Sequence, residues 1–595
     1  MVVSKYGGGC PNRMDPPTSH IQAEDLDKIE VIKGPFSVRW GQTLGGIVNL
    51  VMQKPNYNKT FKINGSANLG YETNGENLRS RISLKGGTKS WDFYVGGGMK
   101  AFHDYATGID SVVIPSAYEI KDYSTKLAYN FSPDSRIQLN IRQARVTDVD
   151  FPALPMDARD DASDIYSIGY TLRNISPIFS SIRTKLYISE VKHVMDNFNR
   201  SNSAMVEAVT DADTRTAGGR LEFGIRPLLG QNLYLGIDYY DHNKQGYRER
   251  FVKTNPCNTA MHPNMTFTDS VWQDASVVDL GSFAELHHLV SSSLSYTLGL
   301  RVDQVTATLD EPAKNFIMVY GQDDQWEEIN YGGMAIIKYS PSEVLGVTLA
   351  AGRGTRSADI TERFINHLPV GASPHEHFGN PELKAEINNQ LELGLSSGVS
   401  NHHFKSSVFI SKLENYIFAR VDSSVTRVFL PCNEPKVSKV FQNLDQAQQV
   451  GFELTADGVL IPALQYEFAI AYTQGENLDN ETPLPEMPPL ETVLNLRYSF
   501  KALPLWIQTE ARWVSDQDRV SVEYGESATK GFQVYNIKSD FSMENGLSLR
   551  VSVNNMFDTA YHEHLSRNFA KNTTDSGLPL YEPGRNIILV VAYKL

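Results

Sequence analysis

Apolar and polar side chains alternate along most of this chain, from about Phe61 to its end at Leu595. Alternation places successive side chains on opposite faces of a β-strand, so a long series of such segments predicts a fold made almost wholly of strands. Stripes of apolar residues with helical spacing are nearly absent. The alternating segments include residues 61–71, 137–141, 233–239, 294–302 and 547–553.

The connections between the alternating segments are of two kinds. Short polar turns lie at 132–135 and 340–342, and long polar segments at 253–273, 365–383 and 421–439. Short turns on one rim and long loops on the other are typical of a transmembrane β-barrel of the outer-membrane type. At about 24 residues for each strand with its loop, the sequence predicts an all-β fold with about 22 antiparallel strands, a size whose lumen is plugged rather than open.

The composition excludes two other classes of protein. A formal net charge of −14 argues against a nucleic-acid partner, and no apolar stretch approaches the roughly 20 residues of a transmembrane helix.

Tyrosine and phenylalanine concentrate near the ends of the predicted strands, for example at Tyr239, Tyr331 and Tyr339. Aromatic girdles at two membrane interfaces explain this placement, although aromatic residues are also good strand formers in any sheet.

Residues 1–55 follow a different pattern. Residues 28–35 predict a short strand that ends in a turn, and residues 40–51 predict a glycine-rich turn followed by a second strand. This turn lacks the Lys-Ser/Thr ending of a phosphate-binding loop. Because such a segment is too short to form its own core, we predict that residues 1–55 are the C-terminal part of a plug inside the lumen and that residues 56–595 are the barrel.

The first residues of the chain contain no recognisable secretory signal, since a basic start, an apolar core and a small-residue cleavage site are all missing. Taken alone, this indicates a cytosolic protein, which contradicts the barrel pattern. We therefore expect that the chain has been processed or that residues upstream of Met1 are missing.

A series of short motifs resembles the TonB-dependent outer-membrane receptors over residues 25–595. In the N-terminal segment the resemblance rests on Ile29-Glu30-Val31-Ile32-Lys33-Gly34-Pro35 and on Gly45-Gly46-Ile47-Val48-Asn49. In the barrel it rests on residues 353–356 with Glu362, 379–384, 443–447 with 451–453, 554–558 with Tyr561, and 583–585.

The resemblance implies a barrel occluded by an N-terminal plug, in the outer membrane of a Gram-negative bacterium. It also implies a monomer, surrounded by outer-membrane lipid, that imports scarce ligands with energy from the TonB complex. The first half of the family's plug and the segment that engages TonB have no counterpart in this sequence. The last residue is Leu595, where the family usually ends in an aromatic residue.

Two pairs of side chains suit a soft metal ion. Cys10 and Met14 are four residues apart in a loop rich in glycine and proline, and His193 and Met195 are two residues apart in a predicted strand. Two residues along a strand lie on one face, about 6.8 Å apart. The alternation assigns Arg183 of the same strand to the lumen. His193 and Met195 lie an even number of residues after Arg183, so we expect them to face the lumen and the predicted plug.

One thiolate, two thioethers and one imidazole form a donor set that selects Cu(I) over Zn²⁺ and over hard cations. The arrangement is similar to the Cys-x-x-x-Met and His-x-Met pairs of the copper-binding TonB-dependent receptors. Residues 151–157 and 562–567 also resemble that subgroup. The resemblance implies that Cys10, Met14, His193 and Met195 bind a copper ion, as Cu(I).

Each pair also has a structural explanation, because a single cysteine can act as a small buried hydrophobe and a His-x-Met pair can fill space in the lumen. Met261, His262 and Met265 form a competing cluster in a long loop, which either captures ions or is an irregular exposed segment. Cys257 and Cys432 both fall in predicted outer loops, where an oxidising environment would allow them to pair.

A run of acidic residues could attract cations, although such a run is more often a solvated loop face. It consists of Asp148, Asp150, Asp157, Asp160 and Asp161.

The sequence therefore predicts a receptor that binds copper and passes it to the periplasm. Movement of the plug driven by TonB would draw Cys10 and Met14 away from His193 and Met195 and release the ion. The alternatives are a receptor of the same fold for a siderophore or cobalamin, and a passive barrel with a truncated plug. No nucleophile–base arrangement of the Ser-His-Asp type is present, so no enzyme and no catalytic residue is predicted.

Overall fold

The computed structural model describes residues 21–53, 60–109, 111–254, 263–369, 375–428, 435–566, 568–569 and 578–595. Strands dominate this part of the chain, and both α-helices are short. None of the described helices is long and apolar enough to cross a bilayer. The division at residue 55 into plug and barrel stays a prediction.

The strands are β1 (Leu26–Lys33), β2 (Gly46–Met52), β3 (Lys62–Glu72), β4 (Asn77–Gly87), β5 (Trp91–Phe102), β6 (Tyr118–Ser132), β7 (Ser135–Val149), β8 (Asp157–Arg173), β9 (Phe179–Asp196), β10 (Val206–Ile225), β11 (Gln231–Val252), β12 (Met265–Leu289), β13 (Leu294–Leu309), β14 (Gln325–Ser342), β15 (Leu345–Arg356), β16 (Leu368–Pro369), β17 (Glu376–Phe378), β18 (Glu386–Val399), β19 (His402–Thr426), β20 (Val437–Ile461), β21 (Leu464–Asn477), β22 (Thr482–Pro483), β23 (Glu491–Ser499), β24 (Leu505–Val514), β25 (Phe532–Ser542), β26 (Leu547–Asn554) and β27 (Asn586–Lys594). The helices are α1 (Lys314–Tyr320), α2 (Ile360–Phe364) and the 3₁₀ turns Ala23–Asp25 and Ser201–Ala204.

The wall is a closed barrel of 22 antiparallel strands, which confirms the predicted strand number. The wall strands are β3–β15, β18–β21 and β23–β27, and β27 pairs with β3 to close the circle. Each strand pairs with its neighbour in sequence, so every wall strand has both backbone edges hydrogen-bonded. Closure leaves no open sheet edge, which is the condition for placing strands in a bilayer.

The alternation separates two faces of this wall. Ile82 and Leu300 are 63% and 71% exposed, whereas the adjacent Arg81 and Arg301 are only 7% and 4% exposed. The exposed positions are apolar and face outward, and the buried positions are polar and face the lumen. This is the reverse of a soluble barrel and is the pattern of a membrane barrel.

Several strands extend further toward the long-loop rim than the sequence predicted. The predicted loops 253–273 and 421–439 overlap β12, β19 and β20, each of which is 25 residues long. The expectation that these segments are loops was wrong for residues 265–273, 421–426 and 437–439, which belong to strands. Above the apolar band a strand needs only the backbone hydrogen bonds of its neighbours, so polar sequence without alternation can continue the sheet.

Residues 21–53 form a separate two-stranded sheet of β1 and β2, which has no ladder with the wall among the described residues. Its residues nevertheless contact inward-facing side chains on wall strands from β4 to β20. The contacts join Asp25 to Arg81 on β4, Arg39 to Glu222 on β10, Gln42 to Asp279 on β12, Leu44 to Asn388 on β18 and Lys33 to Glu453 on β20. A segment of this length can reach all these strands only from inside the lumen.

Asp25 is held by several donors of the wall. Its carboxylate, 1% exposed, accepts hydrogen bonds from Arg81 Nη2 at 2.5 Å, Tyr94 Oη at 2.5 Å and Ser124 Oγ at 3.0 Å. These three donors come from three consecutive strands, β4, β5 and β6. One buried carboxylate therefore ties the start of β1 to the wall.

Two glycines of β15 allow the segment to approach the opposite part of the wall. A Cβ at Gly352 would lie 2.6 Å from the Pro35 carbonyl oxygen, and one at Gly354 would overlap the Thr43 carbonyl. Only glycine permits such a close approach of two backbones.

Candidate metal-binding site

His193 and Met195 lie at the long-loop end of β9, on the inner face of the wall. The register between β9 and β10 is continuous from Ser181 to Asp196, so both side chains share the face of Arg183. Arg183 Nη1 donates to Glu222, which also binds Arg39 of the N-terminal segment, and this identifies the face as luminal.

A carboxylate accompanies the imidazole. Asp161 of β8 lies directly opposite His193, and its Oδ2 is 3.6 Å from His193 Nδ1. Both residues are almost completely buried, at 5% and 2% exposure. The two atoms are too far apart for a hydrogen bond, but a negative charge beside Nδ1 favours the tautomer protonated there, which leaves Nε2 as the nitrogen suited to a metal ion.

Met195 is enclosed by the loop between β7 and β8. Its side chain packs against the buried Leu154 and Ala158, with Phe151 and Met156 at the edge of the same cluster. The surroundings of the thioether are therefore apolar, and water has little access to it.

An ion pair holds this loop against the neighbouring loop between β9 and β10. Arg200 Nε donates to Asp157 Oδ2 at 2.8 Å, and Arg200 Nη2 donates to the Phe151 carbonyl at 2.8 Å. The loop that covers Met195 is thus anchored at both of its ends, because Asp157 begins β8 where the loop finishes.

The acidic run is not simply a solvated loop face. Asp157 and Asp161 are 9% and 5% exposed, and each lies beside a basic partner, Arg200 and His193. The structure differs from the expectation because β8 already begins at Asp157 and its inner face is covered. Asp148, near the end of β7, is exposed, and Asp150, in the loop that follows, is half-buried.

Asp150, between β7 and β8, has a raised pKa of about 6, because burial and then the negative charge of Asp157 disfavour its ionisation. Because the pKa of Asp150 in the folded protein exceeds the ordinary value of 3.8, ionisation of this group lowers the free energy of unfolding as the pH rises from about 4 to about 6. We expect Asp150→Asn to raise the melting temperature at pH 7.5, by roughly 1 °C for a half-buried group, and to leave it unchanged at pH 4. Melting curves at both pH values test this, with the exposed Asp148→Asn as control; an equal gain at both pH values would contradict it.

Several predicted residues lie outside the described part of the chain. They are Cys10, Met14, Cys257, Met261, His262 and Cys432. Met265, the remaining member of the competing cluster, begins β12 and is 39% exposed. Within the described ranges no three His, Cys, Asp or Glu side chains converge to hold a metal ion. The structure thus brings His193 and Met195 together, and the four-ligand set stays a prediction.

Other histidines of the long-loop side have structural contacts. His562 Nδ1 lies 2.8 Å from the Leu580 carbonyl oxygen and His564 Nδ1 lies 2.9 Å from Thr529 Oγ1. In each case the imidazole links two loop segments.

One buried group has the residue types of a hydrolase triad but not its geometry. Ser438 Oγ and Glu376 Oε2 lie 3.2 and 3.4 Å from His367, and both contact the same nitrogen, Nδ1. A triad needs the serine on one ring nitrogen and the carboxylate on the other.

The sequence analysis did not single out Asp161 as a partner of His193, nor the residues that hold the N-terminal segment. Glu222, Asp279 and Glu285 share one signal that could have identified the latter, because each is an acidic residue at an inward-facing strand position. Charged side chains at such positions need partners, and here the N-terminal segment supplies them through Arg39, Gln42 and Ser37.

Comparisons with known proteins agree with this architecture. A family model described as TonB dependent receptor-like, beta-barrel, matches residues 56–556. The structure is similar to the copper transporter OprC, with a TM-score of 0.85 and 20% identity over 99% of this chain and 89% of that one.

Two iron-related structures are also similar. The apoprotein form of the FrpB iron transporter from Neisseria meningitidis (F5-1 variant) has a TM-score of 0.73 and 16% identity, over 98% of this chain and 88% of that one. A mutant ferric enterobactin receptor (PfeA) from Pseudomonas aeruginosa in complex with enterobactin has a TM-score of 0.73 and 16% identity, over 99% and 89%. No curated protein sequence matches the chain significantly.

Proposed function

Because this chain belongs to the TonB-dependent receptor family of Gram-negative outer-membrane transporters, we propose that it binds copper ions and imports them into the periplasm. The family consists of receptors and transporters, so no enzymatic activity is proposed. We take residues 1–55 to be the C-terminal part of its plug, and the TonB complex to be the source of energy.

The observation that carries the proposal is the pairing of His193 with Met195 on the luminal wall. An imidazole with a carboxylate at Nδ1 and a thioether in an apolar pocket are suited to a soft cation of low charge. A ferric siderophore, in contrast, presents a large oxygen-rich surface that one nitrogen and one sulfur cannot recognise.

In this proposal Cys10 and Met14 complete the donor set from the N-terminal segment. A thiolate neutralises the charge of Cu(I), and the two thioethers and the imidazole complete a four-coordinate site. Since two of the proposed donors belong to the wall and two to the predicted plug, movement of the plug would separate the pairs and lower the affinity for the ion. That differential affinity between two conformations is what allows the ion to be released toward the periplasm.

The direct test is the copper content of the purified protein after loading with Cu(I) under reducing conditions. We expect about one ion per chain in the wild type and less than about a tenth of that in Cys10→Ala/Met14→Ala, because two ligands of four are removed. The chain contains a matched control, since Cys257 and Met261 have the same Cys-x-x-x-Met spacing. The variant Cys257→Ala/Met261→Ala should keep its copper.

Equal copper content in the wild type and in Cys10→Ala/Met14→Ala would overturn the copper proposal. The iron transporter and the ferric enterobactin receptor among the similar structures make a ferric chelate the alternative cargo. Uptake of ferric enterobactin by cells that produce this protein would then identify that class.

A further inference from the structure

The outward face of the barrel carries a shallow groove of about 730 Å³ across β13, β14, β15, β18 and β19. Its walls are the side chains of Leu298, Leu300 and Leu391, and its floor is formed where Gly333, Ala335 and Ala351 lie side by side. The lining is almost entirely apolar, and the groove opens outward, away from the lumen.

Two rows of paired residues cross the groove. One row is wholly apolar and consists of Leu298, Ala335, Ala351, Leu391 and Ile410. The next row toward the long-loop rim consists of Leu300, Gly333, Arg353, Asn389 and Lys412. The apolar groove therefore ends at two cations, Arg353 and Lys412. They are two strands apart in the wall, which corresponds to a distance of roughly 10 Å.

Aromatic residues locate this end of the groove relative to the membrane. Tyr331 and Tyr339 both face outward on β14, at 59% and 48% exposure. Eight positions separate them, roughly 26 Å along the strand, which at a tilt of about 40° spans about 20 Å of the roughly 25 Å high apolar band, so the two tyrosines lie toward its opposite borders. Gly333 is two residues from Tyr331, so Arg353 and Lys412 lie near the interface of the outer leaflet.

Among the described residues, neither of the two cations is paired with an acidic side chain. Arg353 Nη1 donates to Asn389 Oδ1 at 3.2 Å, and neither Arg353 nor Lys412 forms an ion pair with a carboxylate in the described ranges. Glu414, the acidic residue nearest to Lys412 in sequence, accepts a hydrogen bond from Asn389 Nδ2 at 2.9 Å. Elsewhere near the same rim the outward-facing Arg145 is paired with Asp164.

We propose that this groove binds a phosphorylated, acylated lipid of the outer leaflet, of the lipid A type. One acyl chain lies over Gly333, Ala335 and Ala351, where the absence of large side chains leaves room for it. A phosphate lies between Arg353 and Lys412, which supply charge-assisted hydrogen bonds at the depth of the headgroups. Charge complementarity and an apolar groove that starts at the cations favour this lipid over an uncharged one.

The test compares variants in phosphatidylethanolamine nanodiscs that contain bisphosphorylated lipid A, with native mass spectrometry to count retained lipid A molecules. We expect Arg353→Ala/Lys412→Ala to weaken retention about tenfold, and Gly333→Leu to weaken it similarly by filling the groove with a side chain that suits a lipid-facing position. A Cβ at Gly333 would approach only the flexible Leu300 side chain and the Gly299 carbonyl, at 3.3 and 3.4 Å, so the variant should fold.

Two control variants match these changes. Lys121→Ala/Arg145→Ala removes a pair of adjacent cations from the long-loop ends of β6 and β7, and Gly97→Leu adds a large side chain beside Tyr123, which faces outward. Both should retain lipid A as the wild type does. Retention in Arg353→Ala/Lys412→Ala equal to that of the wild type would overturn the proposal.

Two further measurements identify the ligand. Dephosphorylated lipid A should be retained about tenfold less by the wild type, and its equal retention would overturn the role of the cations. Inorganic phosphate at millimolar concentration should not displace lipid A, since the acyl chain contributes to binding; displacement would overturn the lipid as the ligand and point to a simple anion site.

Discussion

Replacing His193 by alanine is expected to weaken Cu(I) binding by on the order of 100-fold, because one of four proposed ligands is lost and the pair on the wall is broken. The measurement is a competition titration of the purified protein against a chelator of known Cu(I) affinity. His403→Ala is the control, since His403 is an exposed histidine at the short-turn end of β19 that pairs with Asp457. Its affinity should equal that of the wild type.

Two companion variants keep this prediction falsifiable if His193→Ala folds poorly. Met195→Leu preserves the volume that packs against Leu154 and Ala158 but removes the sulfur, so the barrel should remain intact while Cu(I) affinity falls. Asp161→Asn removes the negative charge beside His193 Nδ1 and should cost about tenfold. Unchanged affinity in both His193→Ala and Met195→Leu would rule out a site on this part of the wall.

Replacing Asp25 by alanine is expected to loosen the N-terminal segment from the wall by about 3 kcal/mol. The change leaves the buried Arg81 with Asp122 as its remaining carboxylate partner and deprives Tyr94 and Ser124 of their acceptor. Hydrogen exchange of the β1 and β2 amides, followed by mass spectrometry, should accelerate by on the order of 100-fold.

The control for this variant is Asp27→Ala, two residues away, where the side chain is exposed. Its exchange rates should match the wild type, as should the rates of wall strands distant from β4 in both variants. If Asp25→Ala leaves the exchange of β1 and β2 unchanged, the segment is held by its other contacts, such as Arg39 with Glu222, and Asp25 is not its main anchor.

Much of the fold could be predicted because the alternation has a direct physical meaning. A period of two residues specifies a strand with one lipid face and one luminal face, and the length of the alternating region, at about 24 residues for each strand with its loop, predicted the 22 strands of the barrel. The same rule placed His193 and Met195 on the inner face, since β9 contains no irregularity between Arg183 and Met195 in its pairing with β10. The rule failed at the long-loop ends of β12, β19 and β20, where polar strands continue beyond the membrane without alternation.

The sequence by itself determined the fold class, the two faces of each strand and the pairing of an imidazole with a thioether on the wall, because these depend only on the spacing of residues along one strand. Only the tertiary structure decided which side chains meet between strands. A register shift between Ala158 and Asp160 places Asp161 opposite His193, and the lumen brings Asp25 to donors on three strands. Such contacts depend on the register between strands and on the closure of the barrel. Both are set jointly by residues that are distant in sequence, so no local pattern specifies them.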